Sequence, residues 1–302
     1  METDGDGNFY PTGGSNDMMY IYATLAGIVA FALRAWGRSL KYIHPPDAVT
    51  YRHMSKGGAA PNPFRLRWLV PKLIGDRPKL WGALYPLALV MTCPLLCWFA
   101  ELNGVNGLWA VALWCALPLW DLLSKWGGVV DPFSWCVALG AACLSLAGYT
   151  VAAFLAAIVA GMVAPKAVVF AALWSQDPWI LVGLIPVAIR ELTAKRGEPL
   201  VHPDVINHPW LMSMQKNGPH LHDMKNLLLP WGACLVGFMA VPLFHVVTLT
   251  VAYAQMFRAI DISRLYMWAA PVVIVATIAH VPEAYMPVAV LATWFNPFRP
   301  VV

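Results

Sequence analysis

Charge is what this sequence has least of. Lys, Arg, Asp and Glu together make 12% of 302 residues, while 59% are hydrophobic; a soluble domain carries roughly 25% charged residues. That shortage excludes a water-soluble domain and leaves an all-α, polytopic membrane protein. Its expected surroundings are membrane lipid, not nucleic acid. Cysteine never occurs where a disulfide framework would need it: Cys93, Cys97, Cys115, Cys136, Cys143 and Cys234 all fall inside apolar runs. The N-terminal stretch does not read as a cleavable leader either. The first 17 residues are acidic and polar, and no small-residue cleavage site follows the first apolar run. Residues 1–17 therefore read as a disordered polar tail, and the run after them as a retained anchor helix. GxxxG, heptad and internal-repeat patterns are absent.

Tryptophan and proline are plentiful, at 15 and 25 residues. Trp gathers at membrane interfaces, and Pro is tolerated in membrane helices. Residues 18–302 read as a single transmembrane domain, a helical bundle of about 9–11 membrane segments, some short or re-entrant. Met18–Ala35, Leu80–Ala100, Leu108–Leu123, Phe133–Ala147 and Thr150–Val163 are the first five, the last two forming a hairpin bent at Gly148. Ala167–Trp174 and Trp179–Ile189 fall short of the about 20 residues a full span needs. They read as a re-entrant pair around Ser175-Gln176-Asp177-Pro178, or as two short tilted spans. Leu227–Phe257 reads as two helices broken near Pro242, and Leu265–His280 and Ala284–Phe295 finish the chain.

The few charges are unevenly placed. Ten of the 20 Lys and Arg fall between Arg34 and Lys79, and five more between Arg190 and Lys225. They mark two polar inserts, residues 37–79 and 190–226. In the first, Asp47 follows two prolines and leads a short surface helix, and Arg65 and Arg67 stand against apolar sequence. An isolated acid followed by closely spaced fixed cations suits chemistry on a phosphate-bearing substrate. The carboxylate can take a proton, and the guanidiniums can hold a leaving phosphate. Tyr51 and His53, lying between them, join the candidate phosphate-binding set. Alternating the segments across the membrane puts both inserts, Asp131, Lys166, Asp261 and Arg264 on one side. Glu101–Gly107, Gly148 and the Pro242 break fall on the other. This pattern predicts a membrane enzyme whose cavity opens on the charged side and is closed by the inserts.

Asp47-Ala-Val-Thr-Tyr51 followed by Pro63-Phe-Arg65-Leu-Arg67-Trp-Leu-Val-Pro71 resembles the first luminal or periplasmic loop of GT-C-fold glycosyltransferases. Val130-Asp131-Pro132-Phe133, Ala164-Pro165-Lys166, Leu229-Pro230-Trp231-Gly232 and Asp261-Ile-Ser-Arg264-Leu-Tyr266 look like later pieces of short bacterial and phage relatives. The resemblance implies a GT-C-like fold and transfer of a sugar from a polyprenyl-phosphate donor to an acceptor hydroxyl. It makes Asp47 the base and Arg65 and Arg67 the phosphate ligands. Asp131, Asp261, Arg264 and Lys166 become supporting residues, with Lys166 also near the phosphate, and no metal cofactor is implied. The bacterial inner (plasma) membrane is the implied location, with the active face outside the cytoplasm. Ala167 departs from the family pattern, which has an acid after the Lys.

Each residue also has a plainer reading. Asp47 can serve as a helix N-cap, and Arg65 and Arg67 can snorkel to lipid headgroups. Asp131 before Pro132 is a common turn element, Lys166 can end a helix, and Asp261 and Arg264 can pair with each other. His202, His208, His220 and His222, with Asp204 and Asp223 nearby, match no strong zinc spacing and read as solvated. His245 and His280 read as core residues. The rival to an enzyme is a transporter, or a membrane scaffold whose basic inserts bind anionic headgroups on the cytoplasmic face. The positive-inside rule favours that face for the cations, against the side the resemblance implies.

Overall fold

Large apolar side chains face outward on the first long helix, and small ones face in. The computed structural model describes residues 2–3, 9–10, 16–35, 46–60, 64–125, 130–193, 228–255 and 266–297. In α1 (Asn16–Ala35), Ala23, Gly27, Ala30 and Arg34 are buried on one stripe, while Ile21, Leu25, Ile28, Val29 and Leu33 are exposed. Water would penalise that arrangement. Lipid does not, because its tails are as apolar as Leu, and helices then associate through close packing of small residues. Two later helices repeat the pattern. In α8 (Thr150–Val163), Ala153, Ala157 and Ala160 are buried and Val151 and Leu155 exposed. In α14 (Met286–Trp294), Ala289 and Thr293 are buried and Val288 and Leu291 exposed.

Among the described residues the structure is all-helical apart from a two-residue antiparallel pairing of Glu2–Thr3 with Phe9–Tyr10. Between α1 and α8 lie α2 (Pro46–Ser55), α3 (Leu69–Ile74), α4 (Pro78–Leu102), α5 (Gly107–Ala116), α6 (Pro118–Lys125) and α7 (Asp131–Leu146). After α8 come α9 (Pro165–Ser175), α10 (Ile185–Thr193), α11 (Leu235–Ala240), α12 (Val246–Gln255), α13 (Ala270–His280) and α14. Among the described residues, Asp17–Arg34 and Pro78–Leu102 are long and apolar enough to cross a membrane. The pair Met267–His280 and Glu283–Trp294, bent by 116°, makes a third if counted as one span. The other segments expected from the sequence are shorter apolar helices. This is the build of an integral, multi-pass membrane protein. With 25 residues, α4 is about 37 Å long, more than the roughly 30 Å hydrocarbon core; its internal Pro86 and Pro94 are of a kind that membrane helices accommodate.

The boundaries differ from expectation where proline intervenes. The expected span 108–123 is two helices, because Pro118 starts α6 immediately after the break at Leu117. The short pair after Lys166 is α9, then a tight 3-10 turn, Pro178–Leu184, leading into α10. Asp177 caps that turn, accepting from the Trp179 N–H at 2.9 Å. The break near Pro242 separates α11 from a 3-10 turn, Leu243–His245, that leads into α12.

Thiol hydrogen bonds give the register of two central helices. Cys136 Sγ donates to the Ala88 carbonyl at 2.8 Å and Cys143 Sγ to the Leu95 carbonyl at 3.4 Å. Two thiols about two turns apart thus meet two carbonyls the same distance apart, so α4 and α7 run parallel. Helix α1 is antiparallel to α4: Tyr20 lies near Cys97 and Glu101, and Gly27 against Val90 and Cys93. A Cβ on Gly161 of α8 would collide with the Gly183 carbonyl, and one on Gly183 with the Ala157 carbonyl. Backbone therefore touches backbone there, as only glycine allows.

The core is unusually aromatic. Trp135 stacks on Trp268 with centroids 4.3 Å apart, Trp174 lies 5.7 Å from Trp268, and Trp114 lies 4.9 Å from Trp135. Such pairs contribute about 0.5–1.5 kcal/mol each beyond area burial.

Candidate functional site

The first polar insert folds onto one end of the bundle. Tyr51 of α2, Val70 and Ile74 of α3, and Trp81 and Tyr85 of α4 form an apolar cluster with Val130 and Val163. Those last two residues stand where α7 begins and α8 ends. The insert turns back at Gly57, whose φ of 84° favours glycine. The neighbouring Gly58 backbone lies against the His53 ring, where a Cβ would clash. Trp81 Nε1 donates to the Gly75 carbonyl at 3.0 Å and ties the end of α3 to the start of α4.

Asp131 and Lys166 meet beneath this cap. Each stands in the first turn of its helix, α7 and α9, and Lys166 Nζ donates to Asp131 Oδ1 at 2.7 Å. The Asp131 side chain is 1% exposed and that of Lys166 13%. An acid in the first turn complements the helix dipole, whereas a cation there opposes it, so the partner across the gap matters more to Lys166. Its ammonium also lies 5.0 Å from the Trp268 ring centroid, within cation–π range. The sequence nominated both residues, 35 positions apart, without showing that they touch.

The other candidates gather around the same end. Arg67 Nη1 donates to the Tyr51 hydroxyl at 2.9 Å, and its guanidinium sits 5.8 Å from the Phe64 ring. Phe64 in turn packs edge-on against Tyr51. Arg65 is buried and pairs with Glu191 of α10. His53 is exposed near the end of α2. Asp47 is the second residue of α2, which starts at Pro46, so it occupies the first turn and not the cap position. Its side chain lies outside the described residues. So do Asp261, Arg264, Asp204, Asp223, and the histidines 202, 208, 220 and 222. Among the described residues no three His, Cys, Asp or Glu side chains converge as metal ligands would.

Several residues at this end had not been singled out. Glu191 and Arg190 open the second insert, and Arg190 Nε donates to the Arg65 carbonyl at 3.4 Å. Lys72 Nζ and the Arg190 guanidinium lie 5.4 and 5.8 Å from the Trp68 ring. All three residues line a cavity of about 700 Å³ between the insert, α8 and α10. Arg52 and Lys56 share Asp76 at 3.4 and 3.0 Å. Arg34, buried within α1, donates to the Ala116 carbonyl at 3.1 Å and stacks over Trp294 at 4.2 Å. A lone Arg near the end of an apolar run is the one sequence signal that pointed to it.

The opposite end is built differently. Glu101 accepts from the Gly107 N–H at 2.6 Å, Ser145 donates to Asp177 at 2.6 Å, and Trp109 donates to Glu283 at 3.2 Å. Gln176 Nε2 lies 3.4 Å from Nε2 of the buried His245. His280 Nδ1 lies 2.9 Å from the Ala276 carbonyl.

No protein-family model, curated protein or solved structure matches this chain.

Proposed function

We propose that this chain is a membrane-embedded glycosyltransferase of GT-C-like type, moving a sugar from a polyprenyl-phosphate donor to an acceptor hydroxyl. The observation that carries the reading is the arrangement of the first insert. Position 47 lies one helical turn before Tyr51 on α2, and the Tyr51 hydroxyl holds the guanidinium of Arg67. An acid and a fixed planar cation thus occupy adjacent structure, on the bundle end that also buries the Asp131–Lys166 pair. In this reaction Asp47 takes the acceptor's proton as its oxygen bonds to the anomeric carbon. The bond from that carbon to the phosphate oxygen breaks, and the electron pair leaves with the lipid phosphate. Arg67 stabilises the charge on the departing phosphate, where charge-assisted contacts strengthen as the charge develops. Arg65 and Lys166 each already face a carboxylate and hold the frame around it. Tyr51 orients Arg67, and His53 lies at the rim.

The test is sugar transfer from a panel of polyprenyl-phosphate donors, measured with donor binding. Asp47→Asn should lower turnover by roughly 10²–10⁴-fold while leaving binding unchanged or tighter. Arg67→Ala should weaken donor binding, and Arg67→Lys should rescue it in part, since an ammonium cannot make a bidentate contact. Full activity in Asp47→Asn would remove the proposed base. Headgroup binding with no turnover from any donor would favour a non-enzymatic scaffold.

A further inference from the structure

We infer that the cavity between α2, α3, α8 and α10 is a binding site for an anionic amphiphile: a phosphate-ester headgroup joined to apolar chains. The site goes beyond the transfer reaction, since it would hold its ligand whether or not turnover occurs.

The charge of the ligand follows from how the cations are used. Three acids near the insert with described side chains are engaged: Asp76 by Arg52 and Lys56, Glu191 by Arg65, and Asp131 by Lys166. Lys72 and Arg190 line the cavity, and among the described residues neither has a carboxylate partner. They nonetheless converge on one indole, that of Trp68, at 5.4 and 5.8 Å. Each cation is held by the ring, and the repulsion between the two like charges is relieved when an anion sits between or beside them. The hydroxyls on the wall cannot act as donors in their place. Ser55 donates to the Arg52 carbonyl at 2.7 Å and Thr193 to the Ile189 carbonyl at 2.8 Å. Recognition therefore falls to an ammonium and a guanidinium, the pair of groups that suits a phosphate.

The rest of the ligand follows from the apolar lining. Met162, Pro186 and Ile189 face the same cavity, and Ile185, Ile189 and Leu192 of α10 are exposed on the outer surface of the bundle. A water-soluble phosphate ester would leave that lining uncovered, whereas an acyl or prenyl chain would cover it. At about 700 Å³, the cavity lies within the roughly 300–1,000 Å³ typical of ligand sites.

The experiment uses the full chain purified in detergent and native mass spectrometry, titrating three probes. These are phosphatidic acid, diacylglycerol with the same acyl chains, and glycerol 3-phosphate. One phosphatidic acid should be retained per chain, with the other two probes at least about tenfold weaker. The double variant Lys72→Gln/Arg190→Gln should lose about 100-fold in affinity, near tenfold for each charge-assisted contact. Lys72→Arg should keep most of the affinity, and Lys79→Gln, an exposed cation outside the cavity, should change nothing. A thermal melt within a few degrees of wild type shows that the double variant is folded. Undiminished phosphatidic acid binding by the folded double variant overturns the site, as does diacylglycerol binding as tight as phosphatidic acid. Glycerol 3-phosphate binding as tightly as the lipid overturns the amphiphile and leaves a soluble-ester site. Transfer assayed on the same variants tells this site from the transfer centre: loss of lipid retention with turnover intact separates the two.

Discussion

The two ends of the bundle share the same helices and differ in how those helices are finished. At one end stand Arg52, Lys56, Arg65, Arg67, Lys72, Arg77, Lys79, Lys166 and Arg190, with Arg34 buried below them in α1. At the other stand Asp17, Glu101, Asp177 and Glu283, and no Lys or Arg among the described residues. The acids of the second end accept from neutral donors, Glu101 from a backbone N–H nearby in sequence and Asp177 and Glu283 from Ser145 and Trp109 of distant helices. At the first end charges meet charges, as in Asp131–Lys166 and Arg65–Glu191. One end holds its acids on neutral donors, and the other pairs charge with charge around a cavity. That contrast is why the functional reading is placed at the cation end.

The most drastic test of this contrast is topological, and its outcome is all or none. In a cysteine-free background, Arg77→Cys should react with an impermeant thiol reagent from one side of the membrane. Asn103→Cys and Tyr149→Cys should react only from the other. Reaction of Arg77→Cys and Tyr149→Cys from the same side would break the two-ended description. The side on which Arg77→Cys reacts also decides between the positive-inside rule and the family resemblance.

The next effect in size is at the buried pair. Lys166→Met removes the cation that faces the buried Asp131 carboxylate and should cost about 3–5 kcal/mol of stability, the loss expected when one partner of a buried pair is taken away. Asp131→Asn/Lys166→Met should recover much of that loss, as read by thermal or denaturant unfolding in detergent. Equal losses in single and double variants would mean that the pair is not coupled.

Caps at the acid end should matter less. The Asn106 side chain accepts from the Leu108 and Trp109 N–H groups at the start of α5, so Asn106→Ala should cost about 1 kcal/mol and leave lipid binding untouched. Smallest of all is Arg52→Gln at the cation end. Its bond to Asp76 is 3.4 Å long and its side chain 43% exposed, and surface pairs of this kind contribute about 0–1 kcal/mol. A larger loss at Arg52 than at Lys166 would invert the ranking of exposed and buried charge on which the site rests.

Much of this arrangement was legible in one dimension. The membrane class came from composition, and the breaks at Gly148, Ser175–Pro178 and Pro242 came from residues that act on their own backbone. Pro118 was the exception, since an uninterrupted apolar run hid a helix start. Asp131 and Lys166 stood out as ionisable residues beside apolar runs. Their partnership did not, and neither did the role of Glu191, because neither spacing nor periodicity links positions in different helices. Lys72 and Arg190 were visible only as members of two basic inserts. Trp68, which brings them together, looked like one of many tryptophans.

What the sequence by itself determined was local. Hydropathy set which stretches become helices, proline and glycine set where those helices stop, and charge scarcity set the membrane as solvent. Only the tertiary structure decided which helices run parallel, that backbone meets backbone at Gly161 and Gly183, and that two distant inserts share one cavity. The physical reason lies in the solvent. Lipid gives apolar side chains, small or large, almost no hydrophobic reward for burial, so the apolar pattern says little about which faces meet. Close packing and the need to pair buried charges make that choice, and both depend on all the helices at once.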